Sequence, residues 1–355
     1  MKHGPQTDRM SERLPREPSL EEKIRFLSRC GADGSASGPI EVLETQMAWV
    51  FLTENRVLKL KKPVTTDYLD FSTLERRNAD VRDEIRLNRR LALDVYLGAR
   101  ALFQKSDGAL SLNGEGRIVD WLVEMQRLPA HESLDARIAA DHLARTDIER
   151  VADVLAGFYA ALPAQALSAT ELVEHFEAEH AKTSRVLRDK SYEFDGCRVE
   201  AALSAFESDF DRVRPELAKR VGEGRIVEGH GDLRPEHVFL TEPPVIIDCL
   251  EFSKKFRTLD PFEEVAYLGL ECALLGCDWV FAVLERRIAD LLNDPVPPAL
   301  LVFYWRYRAL LRARLSLLHL SETQVRSPEK WRPLAWRFIA LAEEAEIRIQ
   351  RPADQ

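Results

Sequence analysis

No C-x-x-C pair occurs in this 355-residue sequence. Its five cysteines, Cys30, Cys197, Cys249, Cys272 and Cys277, are odd in number and widely spaced. That pattern excludes a disulfide framework and suits reduced thiols in a cytoplasm. Long apolar runs are also lacking. The most hydrophobic window, 266–284, is interrupted by Glu271 and Asp278 and reads as two buried helices rather than a membrane span. A secretory leader is not expected, because residues 1–18 are polar and contain proline. Positive charge is in deficit: 50 Lys and Arg stand against 59 Asp and Glu, a formal net charge of −9. That balance argues against nucleic acid or an anionic membrane as partner. No repeat or long low-complexity segment is present. These absences leave a cytoplasmic globular protein with enough chain for one large or two medium domains.

What is present centres on residues 226–260, IVEGHGDLRPEHVFLTEPPVIIDCLEFSKKFRTLD. The stretch reads as strand, polar loop, strand, turn, then the apolar run Val245-Ile246-Ile247, which delivers Asp248 at its end. The loop carries His230, Asp232, Arg234, Glu236 and His237. Two carboxylates, Asp232 and Asp248, are thus expected on neighbouring strands of one small hairpin. Such a pair suits binding of a divalent cation and handling of a hydroxyl proton, the needs of phosphoryl transfer.

His230-Gly231-Asp232-Leu233-Arg234-Pro235-Glu236-His237 resembles the kinase catalytic loop H-x-D-L-x-x-x-N. In its HGD form it looks like the aminoglycoside phosphotransferase-like branch of the protein-kinase-like fold, which includes choline kinases. Within that branch it resembles the kinase-like half of bacterial bifunctional proteins that join such a domain to a P-loop ATPase. The resemblance implies an α+β, two-lobed fold: a small, mostly antiparallel β lobe with one helix, and a large helical lobe carrying a catalytic hairpin. It implies ATP and Mg²⁺ as cofactors. The acceptor it implies is the hydroxyl of a small molecule. The P-loop motif G-x-x-x-x-G-K-[ST] does not occur in this chain, so an ATPase partner, if used, would be encoded separately. One position departs from the pattern: His237 stands where the family has Asn.

Upstream, the apolar runs 47–53 and 56–61 flank Glu54-Asn55 and read as a hairpin. Val57, Lys59 and Lys61 share one face of the second strand, and Lys62 faces away. Lys59 resembles the third-strand kinase lysine, with Lys61 as alternative. An ordinary surface strand lysine is an equally good reading of the local pattern alone. Ser72-Thr73-Leu74-Glu75 reads as a capping box for a helix running to about residue 93. Glu84 on this helix is the candidate partner of the lysine, with Asp83 or Glu75 as substitutes; the bland reading pairs Glu84 with Arg77 or Asn88. Three further strands are expected at 99–103, 109–112 and 117–124. The stretch 124–129 then reads as an interlobe hinge, with Glu124 and Gln126 as candidate nucleotide contacts. A mobile tail at 1–18, a small lobe at 19–127 and a helical lobe at 128–355 complete the plan, with the catalytic loop at 228–240 and the metal strand at 245–251.

The large lobe is expected to be helical at 133–144, 147–162, 169–190, 197–220, 261–275, 278–293, 297–321 and 333–349. Asp147 is the expected N-cap of the second of these. Asp260-Pro261 opens the fifth, with Asp as N-cap and Pro at the first helical position. In the resembling family an Asp here also braces the catalytic loop; Asp260 is read first as structural. His175 and His180 lie five apart, about 140° around a helix, so a shared metal is not expected. His131 and His142 read as surface residues. Arg306, Arg308, Arg312 and Arg314 are expected on a solvated face rather than at a substrate.

In the phosphotransferase reading, Asp232 accepts or orients the acceptor hydroxyl, and Arg234 neutralises charge on the transferred group. Asp248 holds the metal, with His237 and Glu251 as further ligands. His230 orients the loop. Imidazole at His237 is a softer donor than the Asn oxygen and favours Mn²⁺ over Mg²⁺. Three readings therefore stand: an active kinase using one metal or Mn²⁺; a nucleotide-binding pseudokinase or sensor; and a metal-dependent hydrolase built on His230, Asp232 and His237, for which the sequence offers no further clustered ligands.

Overall fold

The computed structural model describes residues 16–30, 40–66, 68–193, 195–321 and 327–350. Most of the expected tail, and the loop with Gly31, Gly34 and Gly38, lie outside them. The chain divides into two units: residues 1–89 with 93–127, and residues 90–92 with 128–355.

In the first unit, helix α1 (Leu20–Leu27) opens on a true capping box, Ser19 and Glu22 each bonding the other's backbone N–H. Six strands follow among the described residues: β1 (Glu41–Glu44), β2 (Ala48–Leu52), β3 (Arg56–Lys61), β4 (Tyr96–Gln104), β5 (Leu110–Ser111) and β6 (Arg117–Gln126). They form one antiparallel sheet in the order β1-β2-β3-β6-β4-β5. Edge strand β1 was not expected; its sequence EVLE carries two glutamates, and among the described residues it pairs only with β2. Helix α2 (Leu74–Asn88) is capped by Thr73, whose hydroxyl accepts from the Arg76 N–H. The cap is therefore one residue later than the Ser72 box, and the helix ends five residues before the expected residue 93. Phe51, Leu58, Leu60, Leu102 and Leu122 are completely buried between α1 and the sheet.

A buried ion cluster locks this unit. Asp120 accepts from Lys23 Nζ at 2.8 Å and from Arg77 Nε at 2.8 Å, and all three residues are buried. Arg77 is thus engaged away from Glu84.

In the second unit the helices are α3 (Leu134–Ala139), α4 (Arg145–Ala161), α5 (Ala169–Leu187) and α6 (Gly196–Gly222). Short pieces follow: β7 (Val227–Glu228), β8 (Val238–Phe239), β9 (Val245–Ile246), α7 (Lys254–Arg257) and β10 (Thr258–Leu259). Helices α8 (Pro261–Leu274), α9 (Trp279–Leu292), α10 (Pro298–Leu318), α11 (Pro328–Glu343) and α12 (Ala345–Ile349) complete it. None of the described helices is long and apolar enough to cross a membrane. Asp147 does not cap α4 from outside; it sits in the first turn and its carboxylate reaches back to the Ala144 N–H at 3.0 Å. His175 and His180 have separate surroundings, and His180 pairs with Glu207 at 3.0 Å. His131 and His142 are exposed.

Helix α10 corrects one expectation. Its sequence is apolar nearly all round, and such a helix is buried. Phe303 and Tyr307 pack edge-on against Phe176 at 5.0 and 4.9 Å. The four arginines expected on a solvated face are carried inward with it. Arg306 pairs with Asp209, Arg308 with Glu263 at 2.8 Å, Arg312 with Glu271 at 2.6 Å and Arg314 with Glu179 at 2.7 Å. A guanidinium in an apolar layer requires a carboxylate partner, and each has one.

Candidate functional site

In the first unit, the period of two in β3 sends Lys59 and Lys61 to the same side of the sheet. Glu84 on α2 meets both: Lys59 Nζ is 3.0 Å from Oε1, and Lys61 Nζ is 2.5 Å from Oε2. Lys61 also pairs with Asp80 at 2.8 Å. Glu84 is fully buried, Lys61 is 1% exposed, and Lys59 is the more accessible lysine. Asp83, a substitute expected for Glu84, is exposed and pairs with Arg86, while Glu75 is also exposed. Glu84→Gln is expected to destabilise the fold by about 3 kcal/mol, because the two lysines lose the buried anion between them. A urea melt compared with Asp83→Gln, expected within about 0.5 kcal/mol of wild type, checks this.

The other two first-unit candidates lie on β6. Glu124 is paired in register with Leu58 and Gly98, and its carboxylate is 3.8 Å from Arg100. The N–H of Gln126 is held by the Val95 carbonyl at 2.8 Å, and that of Arg127 by the Asn55 carbonyl at 3.1 Å. The strand therefore continues two residues past its expected end, and these two N–H groups are engaged within the sheet.

In the second unit, the central stretch is two short ladders instead of one hairpin. β7 pairs with β10, and β8 with β9. Asp232 lies in the loop after β7, and Asp248 lies two residues past β9. Helix α8 supports the loop from beneath. Asp260 caps it, accepting from the Phe262 N–H at 2.9 Å, and binds Arg220 at 2.6 and 2.9 Å. The brace on the loop that carries Asp232 is Glu264, one turn further on. Its carboxylate accepts from the Gly231 N–H and from the Tyr159 hydroxyl, the latter at 2.9 Å. Burial pushes the Glu264 carboxyl up, against these two donors. Gly231 has φ +87°, and a Cβ there would stand 2.9 Å from Arg257 Cβ, so the turn needs glycine.

His230 is fully buried, and its tautomer follows from its partners. Nε2 lies 2.9 Å from the Ile247 carbonyl and must donate; Nδ1 accepts from the Asp232 N–H at 3.3 Å. Burial, aided by nearby His237, pushes its pKa down to about 4. Between pH 6.5 and about 4 the unfolded chain binds the proton and the folded chain does not, so stability falls as pH drops through that window. The loss is at most about 3 kcal/mol. Urea melts between pH 4 and 8 should show this slope, and His230→Gln should flatten it.

Asp232 gathers the remaining polar groups. Its Oδ1 accepts from the Tyr267 hydroxyl at 3.1 Å and stands 3.3 Å from Arg234 Nε. Burial acts against its charge, but Arg234 and His237 outweigh it and hold the carboxyl below the usual range. His237 Nδ1 lies 2.9 Å from the Asp232 carbonyl oxygen and so carries the proton. Its Nε2 faces Asp248 Oδ2 at 3.5 Å and Arg234 Nη2 at 3.4 Å. Asp248 holds a left-handed backbone, φ +62°, which Asp tolerates better than most residues. The Arg234 guanidinium also pairs with Glu236 at 3.1 Å. Glu251 is half-buried, and its carbonyl accepts from Arg257 Nη1 at 3.1 Å.

Asp248 Oδ2 and His237 Nε2 are the two atoms of this cluster that could hold a divalent cation. Two donors 3.5 Å apart can share one ion at ordinary ligand distances of about 2.1 Å. The backbone bond at Nδ1 orients the ring, the usual support of a metal-binding histidine. A mixed nitrogen and oxygen set suits Mn²⁺ or a later ion better than Mg²⁺.

Sequence reasoning missed Glu264 and Tyr267. The available signal was Glu263-Glu264 within an apolar helix, since acids at such positions require partners.

No family model matches the chain. Uncharacterized proteins of Mycobacterium tuberculosis and Mycobacterium bovis are 31% identical to it over 289 residues, 80% of this chain. The match spans 56% of those relatives, so this chain covers little more than half their length. Among solved structures, a choline/ethanolamine kinase family protein from Mesorhizobium loti is 13% identical, with TM-score 0.51 over 93% of this chain and 98% of that one. A thermostable mutant of the aminoglycoside phosphotransferase APH(4)-Ia, in ternary complex with ADP and hygromycin B, is 13% identical, with TM-score 0.50 over 92% of this chain and 98% of that one. This chain has the α+β, protein-kinase-like fold.

Proposed function

We propose that this chain is an ATP-dependent phosphotransferase that moves the γ-phosphate to a hydroxyl of a small molecule. The observation that carries this is the gathering of Asp232, Arg234 and His237 of one braced loop with Asp248, just past β9, at separations of 3.3 to 3.9 Å. The ADP-bound phosphotransferase among the similar folds adds support for a nucleotide. Asp232 takes the proton of the acceptor hydroxyl, and Arg234 offsets charge on the transferred group. Lys59, held by Glu84, is the first unit's phosphate contact. Asp248 and His237 would hold the cation, which when bound supplies charge neutralisation at the phosphates. Glu251, Glu124 and Gln126 stay as further candidates for metal and nucleotide contact.

A second reading is a nucleotide-binding pseudokinase, favoured by the imidazole at His237 beside Asp248. One comparison separates the two: melting and ATP turnover with ATP plus Mg²⁺, ATP plus Mn²⁺, and no nucleotide. Turnover together with a nucleotide-dependent melting shift supports the phosphotransferase, and a shift without turnover supports the pseudokinase. The absence of any shift would count against both.

A further inference from the structure

We infer that Tyr267 is a positioning residue for Asp232, and that its hydroxyl selects which carboxylate oxygen receives the acceptor's proton. This inference rests on the phosphotransferase reading. Tyr267 lies on α8 three residues after Glu264. One helical turn thus presents the brace of the loop backbone and the tyrosine on the same face. The tyrosine hydroxyl donates to Asp232 Oδ1 at 3.1 Å, and Arg234 Nε stands 3.3 Å from that same oxygen.

Oδ2 is different. Among the described residues no hydrogen bond reaches it. His237 Nδ1 is 3.9 Å away, and its proton is directed to the Asp232 carbonyl at 2.9 Å. A carboxylate takes a proton most readily at the oxygen whose lone pairs are not already engaged. Oδ2 is therefore the proton acceptor, and Oδ1 is the anchored oxygen. Turning the carboxylate away from this orientation would break both the Tyr267 bond and the Arg234 ion pair.

Tyr267 is itself held in place. It is 3% exposed, and the guanidinium groups of Arg308 and Arg312 lie 4.9 and 5.9 Å from its ring centre. Those arginines are fixed by Glu263 and Glu271. Burial pushes the Tyr267 hydroxyl above its ordinary range, against the pull of Arg312, so it stays a donor. In the step itself, the acceptor oxygen bonds to the γ-phosphorus as the bond from phosphorus to the bridging oxygen breaks. The departing electron pair leaves with ADP, and the acceptor's proton goes to Oδ2.

Tyr267→Phe removes the donor and keeps the ring and its two cationic neighbours. The assay is steady-state ATP turnover with Mn²⁺ and water as acceptor, with melting followed in the same samples. The expected result is a kcat about tenfold lower, from loss of one hydrogen bond to a charged group. KM for ATP should stay within about twofold, and the ATP-dependent melting shift should be unchanged. A full kcat in Tyr267→Phe, where Asp232→Asn is inactive, overturns this inference alone. A lower kcat accompanied by a matching loss of the ATP-dependent shift also overturns it, because that marks a structural role. No turnover in the wild type overturns the phosphotransferase reading and this inference with it.

Discussion

Asp232→Asn is expected to lower ATP turnover by about 10²- to 10⁴-fold, the usual contribution of a positioned general base. The variant is a close test because so little else changes. An Asn oxygen can still accept from Tyr267, and the side chain keeps its volume. What it loses is the ability to take a proton. Asp232 has that ability in the wild type because Arg234 and His237 hold its carboxyl ionised despite burial. Nucleotide binding should persist, since the proposed phosphate and metal contacts, Lys59, Asp248 and His237, are other residues. The ATP-dependent melting shift should therefore match wild type while turnover disappears. Unchanged turnover in this variant would falsify the base assignment.

The parts of this site that lie close together along the chain were the parts the sequence made legible. Asp232, Arg234 and His237 fall within six residues of one another, and their spacing alone brings them to one loop. Asp248 follows a β-branched run that reads as a strand end. The meeting of Lys59 with Glu84 is less local, but two regular periods project it: two residues along β3 and 3.6 along α2. The sharing of Glu84 by Lys61 and Lys59 follows from the same strand period.

What could not be read depends on contacts across long sequence separations. The bond from Tyr267 to Asp232 spans 35 residues, and that from Arg314 to Glu179 spans 135. Charge on a helix is most often solvated, and that prior misplaced the arginines of α10. The neighbouring residues held the better clue. A helix reading PALLVFYWRYRALLRARLSLL has no polar face for its arginines to occupy. Asp260 has the structural role first read for it, and the brace that the resemblance implied there lies elsewhere. Its carboxylate is taken up by Arg220 and the helix cap, so the loop brace falls to Glu264, a longer side chain one turn on. Edge strand β1 escaped notice because two of its four residues are glutamates, which are depleted in strands.

The metal position yields the second large effect. In the wild type, the residues that would hold the proposed cation offer a carboxylate oxygen and an imidazole nitrogen 3.5 Å apart. Asp248→Ala removes the only anionic donor of that pair, and the Mn²⁺-dependent part of the ATP melting shift should vanish with it. His237→Asn exchanges nitrogen for an amide oxygen without adding charge. Mg²⁺ prefers hard oxygen ligands, whereas imidazole favours Mn²⁺ and the later ions. The variant should therefore move the Mn²⁺-to-Mg²⁺ preference toward Mg²⁺ by about 10- to 100-fold, the scale on which altered metal surroundings act. Titrating each ion against a fixed ATP concentration, with turnover and melting read together, measures the ratio directly. An unchanged ratio in His237→Asn, with Asp248→Ala still inactive, would remove His237 from the ligand set and leave Asp248 to bind the ion without it. A ratio that moves toward Mg²⁺ while turnover rises would identify His237 as the residue that limits this chain with the commoner ion.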